Sequence, residues 1–273
     1  MSATADRAAT AARPPAPATR RRSTFVRDTL IVFRRALRLA LRNPVWTILG
    51  LTQPILYLVL FGPLLEPLAK TLGARNAYQL FVPGLLVQLG MFGSMFVGFG
   101  LIGEWRDGVI EAERVTPAPR GALLLGRVLR DVLVLAVQGT VLSGVAYFFG
   151  LRAPLGGIVL GIVIVALLAM AFSSASYGTA LALKSEDALA PLANGIALPA
   201  LLLSGILLPM TLAPLWLRRL SDLNPLKHIV DGVRALFRGE TTSSTAIWGM
   251  VLTVLLGAIG YLAGTRVFRR DNA

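Results

Sequence analysis

Long stretches without a single charge constrain this chain more than any motif in it. Six of them are at least 18 residues long: Val45–Leu65, Leu80–Ile102, Val132–Phe149, Leu155–Leu183, Ala188–Leu217 and Thr245–Gly264. About 18 consecutive apolar residues suffice to mark a membrane-crossing helix. Composition agrees. Charged residues make up only 15% of the chain and hydrophobic ones 55%, whereas a soluble domain carries about 25% charged residues. The sequence therefore predicts an all-α polytopic membrane protein with six transmembrane helices.

The expected spans run over residues 45–65, 80–102, 123–149, 156–183, 188–209 and 245–264. Residues 1–22, rich in Ala, Pro, Thr and Arg, are expected to form a disordered cytosolic tail. Arg21-Arg22 resembles a twin-arginine export signal, but arginines interrupt the region that should be apolar, and that reading is rejected. Residues 23–43 read as an amphipathic interfacial helix. Val26, Leu30, Phe33, Leu37 and Leu41 share one face and arginines fill the other, a pattern suited to anionic membrane lipids. Gln53-Pro54 is expected to kink the first span. Four-residue spacings of small residues (Gly90, Ser94, Gly98; Gly157, Gly161; Gly260, Gly264) predict close helix packing. Lys184 to Asp187 reads as a polar turn. After the fifth span a re-entrant extracellular helical segment is expected. Within it, Asn224, Pro225 and Gly239 supply the cap, first position and stop of an amphipathic helix.

Basic residues predict the orientation. With both termini in the cytoplasm, 19 of the 27 Lys and Arg fall inside and eight outside. Five of those eight lie between the fifth and sixth spans, where the rule is weakest. The net charge of +13 is then explained by the membrane surface, with no nucleic-acid partner implied.

Several kinds of chemistry are excluded. There is no cysteine and only one histidine, His228, so neither a thiolate metal site nor a Ser-His-Asp arrangement is available. Gly178 with Lys184-Ser185 approaches a phosphate-binding loop, but Leu183 occupies the second glycine position. The span centres carry no ionisable side chain, which disfavours an ion-coupled carrier. No catalytic residue, metal or cofactor is expected on this chain. Energy for uphill transport would have to arrive from another protein.

Charge is concentrated instead in Gly103–Arg120, GEWRDGVIEAERVTPAPR, set between the second and third spans. Glu104, Gly108, Val109, Ile110 and Glu111, followed by Thr116-Pro117 and Arg120, resemble the cytosolic loop of type-2 ATP-binding-cassette exporter permeases. These include the daunorubicin-resistance-like drug exporters. Asn224-Pro225 with Asp231, Arg234, Ala235 and Gly239 resembles the segment before the last span of the same family. Glu113 departs from the pattern, which expects an apolar residue there.

The resemblance implies a permease subunit in the cytoplasmic membrane, paired with a second and identical copy. Two copies of an ATPase subunit would carry ATP and Mg. The eight loop residues would form a coupling helix that sits in a cleft of the ATPase. Spans 1, 2 and 5 line the substrate path in the family, which makes Gln53, Gln88 and Asn194 the candidates on it. The cargo would be a hydrophobic or amphiphilic compound moved outward. A polysaccharide or lipid-linked glycan exporter is the alternative within the family; a membrane scaffold or insertion factor without transport is the alternative outside it.

Overall fold

The computed structural model describes residues 25–71, 76–116, 118–207 and 209–270. The expected tail over residues 1–22 lies outside them. The described chain is helical, in the order α1 (Phe25–Arg42), α2 (Val45–Leu64), α3 (Glu66–Thr71), α4 (Ala77–Met95), α5 (Gly98–Arg106), α6 (Val109–Arg114), α7 (Arg120–Phe148), α8 (Leu155–Leu183) and α9 (Glu186–Leu203). A 3₁₀ turn at Met210–Leu212 leads to α10 (Leu215–Asp222), α11 (Pro225–Arg238) and α12 (Ser244–Arg270). Six helical stretches are long and apolar enough to cross a membrane: α2, α4 with α5, α7, α8, α9 and α12.

Helix α4 is the most enclosed of these and α8 packs along it. Phe81, Leu85, Leu86 and Met91 of α4 meet Ile164, Val165 and Leu168 of α8, with Val233, Leu236 and Phe237 of α11 closing the same core. The small-residue spacings act where expected. A methyl group at Gly260 would overlap the backbone of Ala171, and one at Gly264 the backbone of Ser174, so α12 lies directly on α8. Gly157 stands equally close to Leu236. By contrast α2 and α9 leave Ile48, Leu49, Leu60, Leu64, Ile196, Leu198 and Leu202 exposed. In a membrane protein such surfaces face lipid or another subunit.

Besides α12, which runs on past Gly264 to Arg270, the helix boundaries depart from the expected ones at three places. The second span is not one uninterrupted helix. It breaks at Phe96–Val97 and resumes as α5, which continues through Arg106 and takes in the start of the charged segment. The break is stabilised by Ser176 on α8. Its hydroxyl accepts from Gly98 N at 2.9 Å and donates to Met95 O at 2.7 Å, pairing groups that the ladder leaves free. Second, the polar turn at 184–187 shortens to Lys184 and Ser185, with Lys184 at φ 51° and Glu186 opening α9. Third, α9 ends at Leu203 and not near Pro209. Ser204 donates to Leu201 O at 2.6 Å, and Gly205 at φ 71° turns the chain away.

Helix α11 has the ends read from sequence. Asn224 Oδ1 accepts from Leu226 N at 3.0 Å, and Gly239 stops the helix at φ 89°. Its apolar face, with Ile229, Val230, Val233 and Phe237, is fully buried. Helix α1 shows a side that its periodicity did not single out. Thr29 and Val32 close on Gly126, so α1 is packed across the first turns of α7. Val26, Leu30 and Leu41 remain exposed.

Candidate functional site

The charged segment folds as a compact hub at one end of the bundle. Gly108, at φ 75°, turns the chain sharply between α5 and α6; a side chain there would be strained. Helix α6 is only six residues long and closes when Thr116 Oγ1 donates to Glu113 O at 2.7 Å. Such a helix has little stability alone and depends on tertiary contacts. Two residues supply them from one face. Ile110 is 2% exposed, in a cluster with Leu101, Ile102, Leu124, Val128 and Tyr177. Glu113, three residues on, meets Arg127 of α7.

Arg127 is the centre of the hub. Its Nη2 donates to Glu104 Oε2 at 2.7 Å and to both oxygens of Glu113 at 2.9 Å. Its Nη1 donates to Leu123 O at 3.4 Å. Arg35 of α1 donates to the same Glu113 at 3.3 Å. One buried guanidinium thus joins α5, α6 and α7, and Glu113 extends the chain to α1. The hub also reaches α9: Arg106 pairs with Glu186 at 2.9 Å, and the Lys184 ammonium lies 6.0 Å from the Trp105 ring centre. A second buried group lies behind it. Tyr177 of α8 donates to Asp131 Oδ2 at 2.7 Å, and Arg130 Nη2 donates to Tyr177 Oη at 3.2 Å.

The residues singled out in the sequence separate into two groups. Glu104 and Ile110 point inward and fasten the hub. Glu111 and Thr116 are exposed, together with Ala112 and Val115, the last 87% accessible. Val109 and Arg120 are half-buried. Pro117 lies outside the described residues. The substrate-path candidates are not brought together. Gln88 is buried at 3% exposure with Oε1 unpaired, whereas Gln53 and Asn194 are exposed on α2 and α9. Gln53 donates to Tyr57 Oη at 3.3 Å and Asn194 to Ala190 O at 3.0 Å.

Arg127 and Glu113 are the hub residues that sequence reasoning missed. The signal was present: Glu113 breaks an otherwise apolar expectation, and Arg127 interrupts an apolar helix about two turns from its start. Each is costly alone and explains the other. Among the described residues, no group of three His, Cys, Asp or Glu is placed to hold a metal ion.

A family described as ABC-2 type transporter matches residues 27–237. The chain belongs to that family. The match takes in the hub, α1 and the helices up to α11. Within the ABC-2 transporters, the chain is 29% identical over 262 residues to the daunorubicin resistance ABC transporter permease protein DrrB1 of Streptomyces coeruleorubidus, covering 92% of this chain and 89% of that one. It is 24% identical over 243 residues to the probable doxorubicin resistance ABC transporter permease protein DrrC of Mycobacterium tuberculosis, covering 88% and 84%. It is also 24% identical over 227 residues to the probable multidrug ABC transporter permease YbhR of Escherichia coli, covering 75% and 58%. This ABC-2 chain is accordingly a multi-pass membrane protein of the permease type.

Proposed function

We propose that this chain is the transmembrane subunit of an ATP-driven exporter that moves a hydrophobic or amphiphilic compound outward. Two copies would form the membrane path, and two copies of a separate ATPase subunit, holding ATP and Mg, would drive it. The hub would face the cytoplasm with both termini, as the distribution of Lys and Arg favours. The names of its relatives, two of them drug-resistance permeases, support the cargo class.

The observation that carries this reading is the two-sided connector helix. Its inner face is fixed by Ile110 and Glu113, while Glu111, Ala112, Val115 and Thr116 form an outer face open to a partner. A short helix held rigidly on one side can pass a displacement to α5 and α7 without absorbing it. The exposed apolar residues of α2 and α9 would meet lipid or the second copy.

Affinity purification from native membranes tests the assembly: an ATPase should co-purify. Replacing Glu111 by Ala, or Gly108 by Ala, should leave that complex assembled while lowering transport per ATP hydrolysed at least tenfold. Unchanged transport in both variants would remove α6 from the coupling path, and absence of any ATPase would remove the energy source.

A further inference from the structure

We propose that Arg127 is the positioning residue of the connector helix: one guanidinium, shared between Glu104 and Glu113, sets the angle of α6 against α5 and α7. This rests on the reading of α6 as the element that meets the ATPase, and it assigns a residue outside the loop that sequence comparison points to.

The argument begins with how few contacts hold α6. Its N-terminal junction is a glycine at positive φ, which adapts readily. Beyond Thr116 the chain takes two more residues before Pro119 caps α7. Ile110 anchors the helix at one point in the apolar cluster, and a helix pinned at one point can still pivot. Glu113 shares the face of Ile110 because the two stand three residues apart. Its pair with Arg127 is the second point, and two points fix a direction. The partner is itself immobile. Arg127 is 5% exposed, lies on the same buried face of α7 as Leu123, Leu124 and Val128, and donates to Leu123 O as well. Glu104 then ties α5 to the same group at 2.7 Å.

An arginine suits this task better than a lysine. Its Nη2 reaches both carboxylates while Nη1 is held on Leu123 O, so the planar, always-charged group is fixed through two nitrogens where an ammonium has one. A simple neutralising role would need only one positive charge nearby. Arg35 already offers Glu113 one at 3.3 Å, so charge balance alone does not account for a buried guanidinium spanning two elements. Arg106, Asp107 and Glu111, which lie in the same segment, are exposed and serve no such bridge to α7.

The absence of cysteine makes a direct test practical. Val115 and Val137, 87% and 53% exposed, can be replaced by Cys and spin-labelled in the full permease in lipid nanodiscs. Pulsed electron resonance then reads the distance from α6 to α7. The otherwise native protein, diluted into an excess of unlabelled permease so that one copy per assembly is labelled, should give one narrow distribution. Arg127→Met and the conservative Arg127→Lys should each at least double its width. The triple variant Arg127→Met, Glu104→Gln, Glu113→Gln, in which all three charges of the bridge are removed together, should recover the native melting temperature but keep the broad distribution. With the co-purifying ATPase bound, a non-hydrolysable ATP analogue should shift the distance in the native protein and not in these variants. A native width in either the lysine or the triple variant would overturn the proposal and reduce Arg127 to charge balance. The width measurement needs no ATPase, so its outcome is distinguishable from failure of the coupling reading, which the Glu111 and Gly108 variants decide.

Discussion

The two ends of the bundle are fastened by different chemistry. At the hub, side chains bind side chains: Arg127 with Glu104 and Glu113, Arg35 with Glu113, Arg106 with Glu186. At the opposite end, the ties between distant elements run from side chains to the backbone. Arg234 of α11 donates from Nε to Leu80 O at 3.1 Å and from Nη2 to Gly205 O at 2.7 Å. Gln79 Nε2 donates to Phe237 O at 3.0 Å, Asn76 Nδ2 to Gly150 O at 2.6 Å and Asn224 Nδ2 to Ala200 O at 2.8 Å. Backbone carbonyls cannot be altered by substitution, and carboxylates can. The hub is therefore a joint whose strength evolution can tune by second-site changes. The opposite end is a set of fixed stitches that holds α4, α9 and α11 in one arrangement.

Replacing Arg234 should have the largest effect on this contrast. Arg234→Met removes the charged donor from the carbonyls of Leu80 and Gly205, two charge-assisted hydrogen bonds worth about 1.5–3 kcal/mol each. Thermal unfolding in detergent micelles should show a large drop in the melting temperature. Adding Asp231→Asn should recover none of it, because the main partners are backbone oxygens and Asp231 contributes only a 3.4 Å contact. Recovery by that second change would place the two ends in one class.

How much of this was legible in the sequence follows from where the partners lie. The spans, the small-residue contacts and the caps of α11 are local patterns, because Asn224, Pro225 and Gly239 act on their own helix. Gly260 and Gly264 reveal a close face before its partner α8 is known. The hub residues that fasten α6 could not be separated from those that face outward. Ile110 and Glu111 are adjacent, and only the packing of α5 and α7 decides which one is buried. Arg234 was noticed as part of a family-like segment, yet its role depends on Leu80, 154 positions away. The break between α4 and α5 was invisible for the same reason. Ser176, 78 positions from Gly98, is what makes it tolerable.

A smaller loss is expected at that break. Ser176→Ala removes the one side chain that pairs both Gly98 N and Met95 O, at about 1–3 kcal/mol for the buried groups left open. Hydrogen exchange should rise at Gly98 and its neighbours while α11 and the opposite end stay protected. Faster exchange spread over the whole chain would mean that the hub half and the opposite half do not behave as separable joints.

Next in size is Glu186→Gln, which removes the hub's contact with the start of α9. Arg106 and Glu186 are both about half exposed, so the pair is worth on the order of 1 kcal/mol or less and should weaken with added salt. A melting-temperature difference between the two proteins that vanishes in high salt supports an exposed tether. A difference that persists would mean that Glu186 belongs with the buried hub.

The smallest effect belongs to an ion pair at the stitched end. Arg238 donates to Glu240 at 2.9 and 3.0 Å and holds that carboxyl below its ordinary value of 4.5. A carboxylate with a lowered folded-state value stabilises the fold fully above its unfolded value, and the contribution disappears as pH falls through the lower folded one. Stability lost on acidification from about pH 5 downward should therefore be slightly smaller in Glu240→Gln than in the native protein. Both partners are about half exposed, so solvent screening keeps the difference to about a few tenths of a kcal/mol. A difference of several kcal/mol would show that this end, too, depends on side-chain charge, and the contrast with the hub would fail at its weakest member.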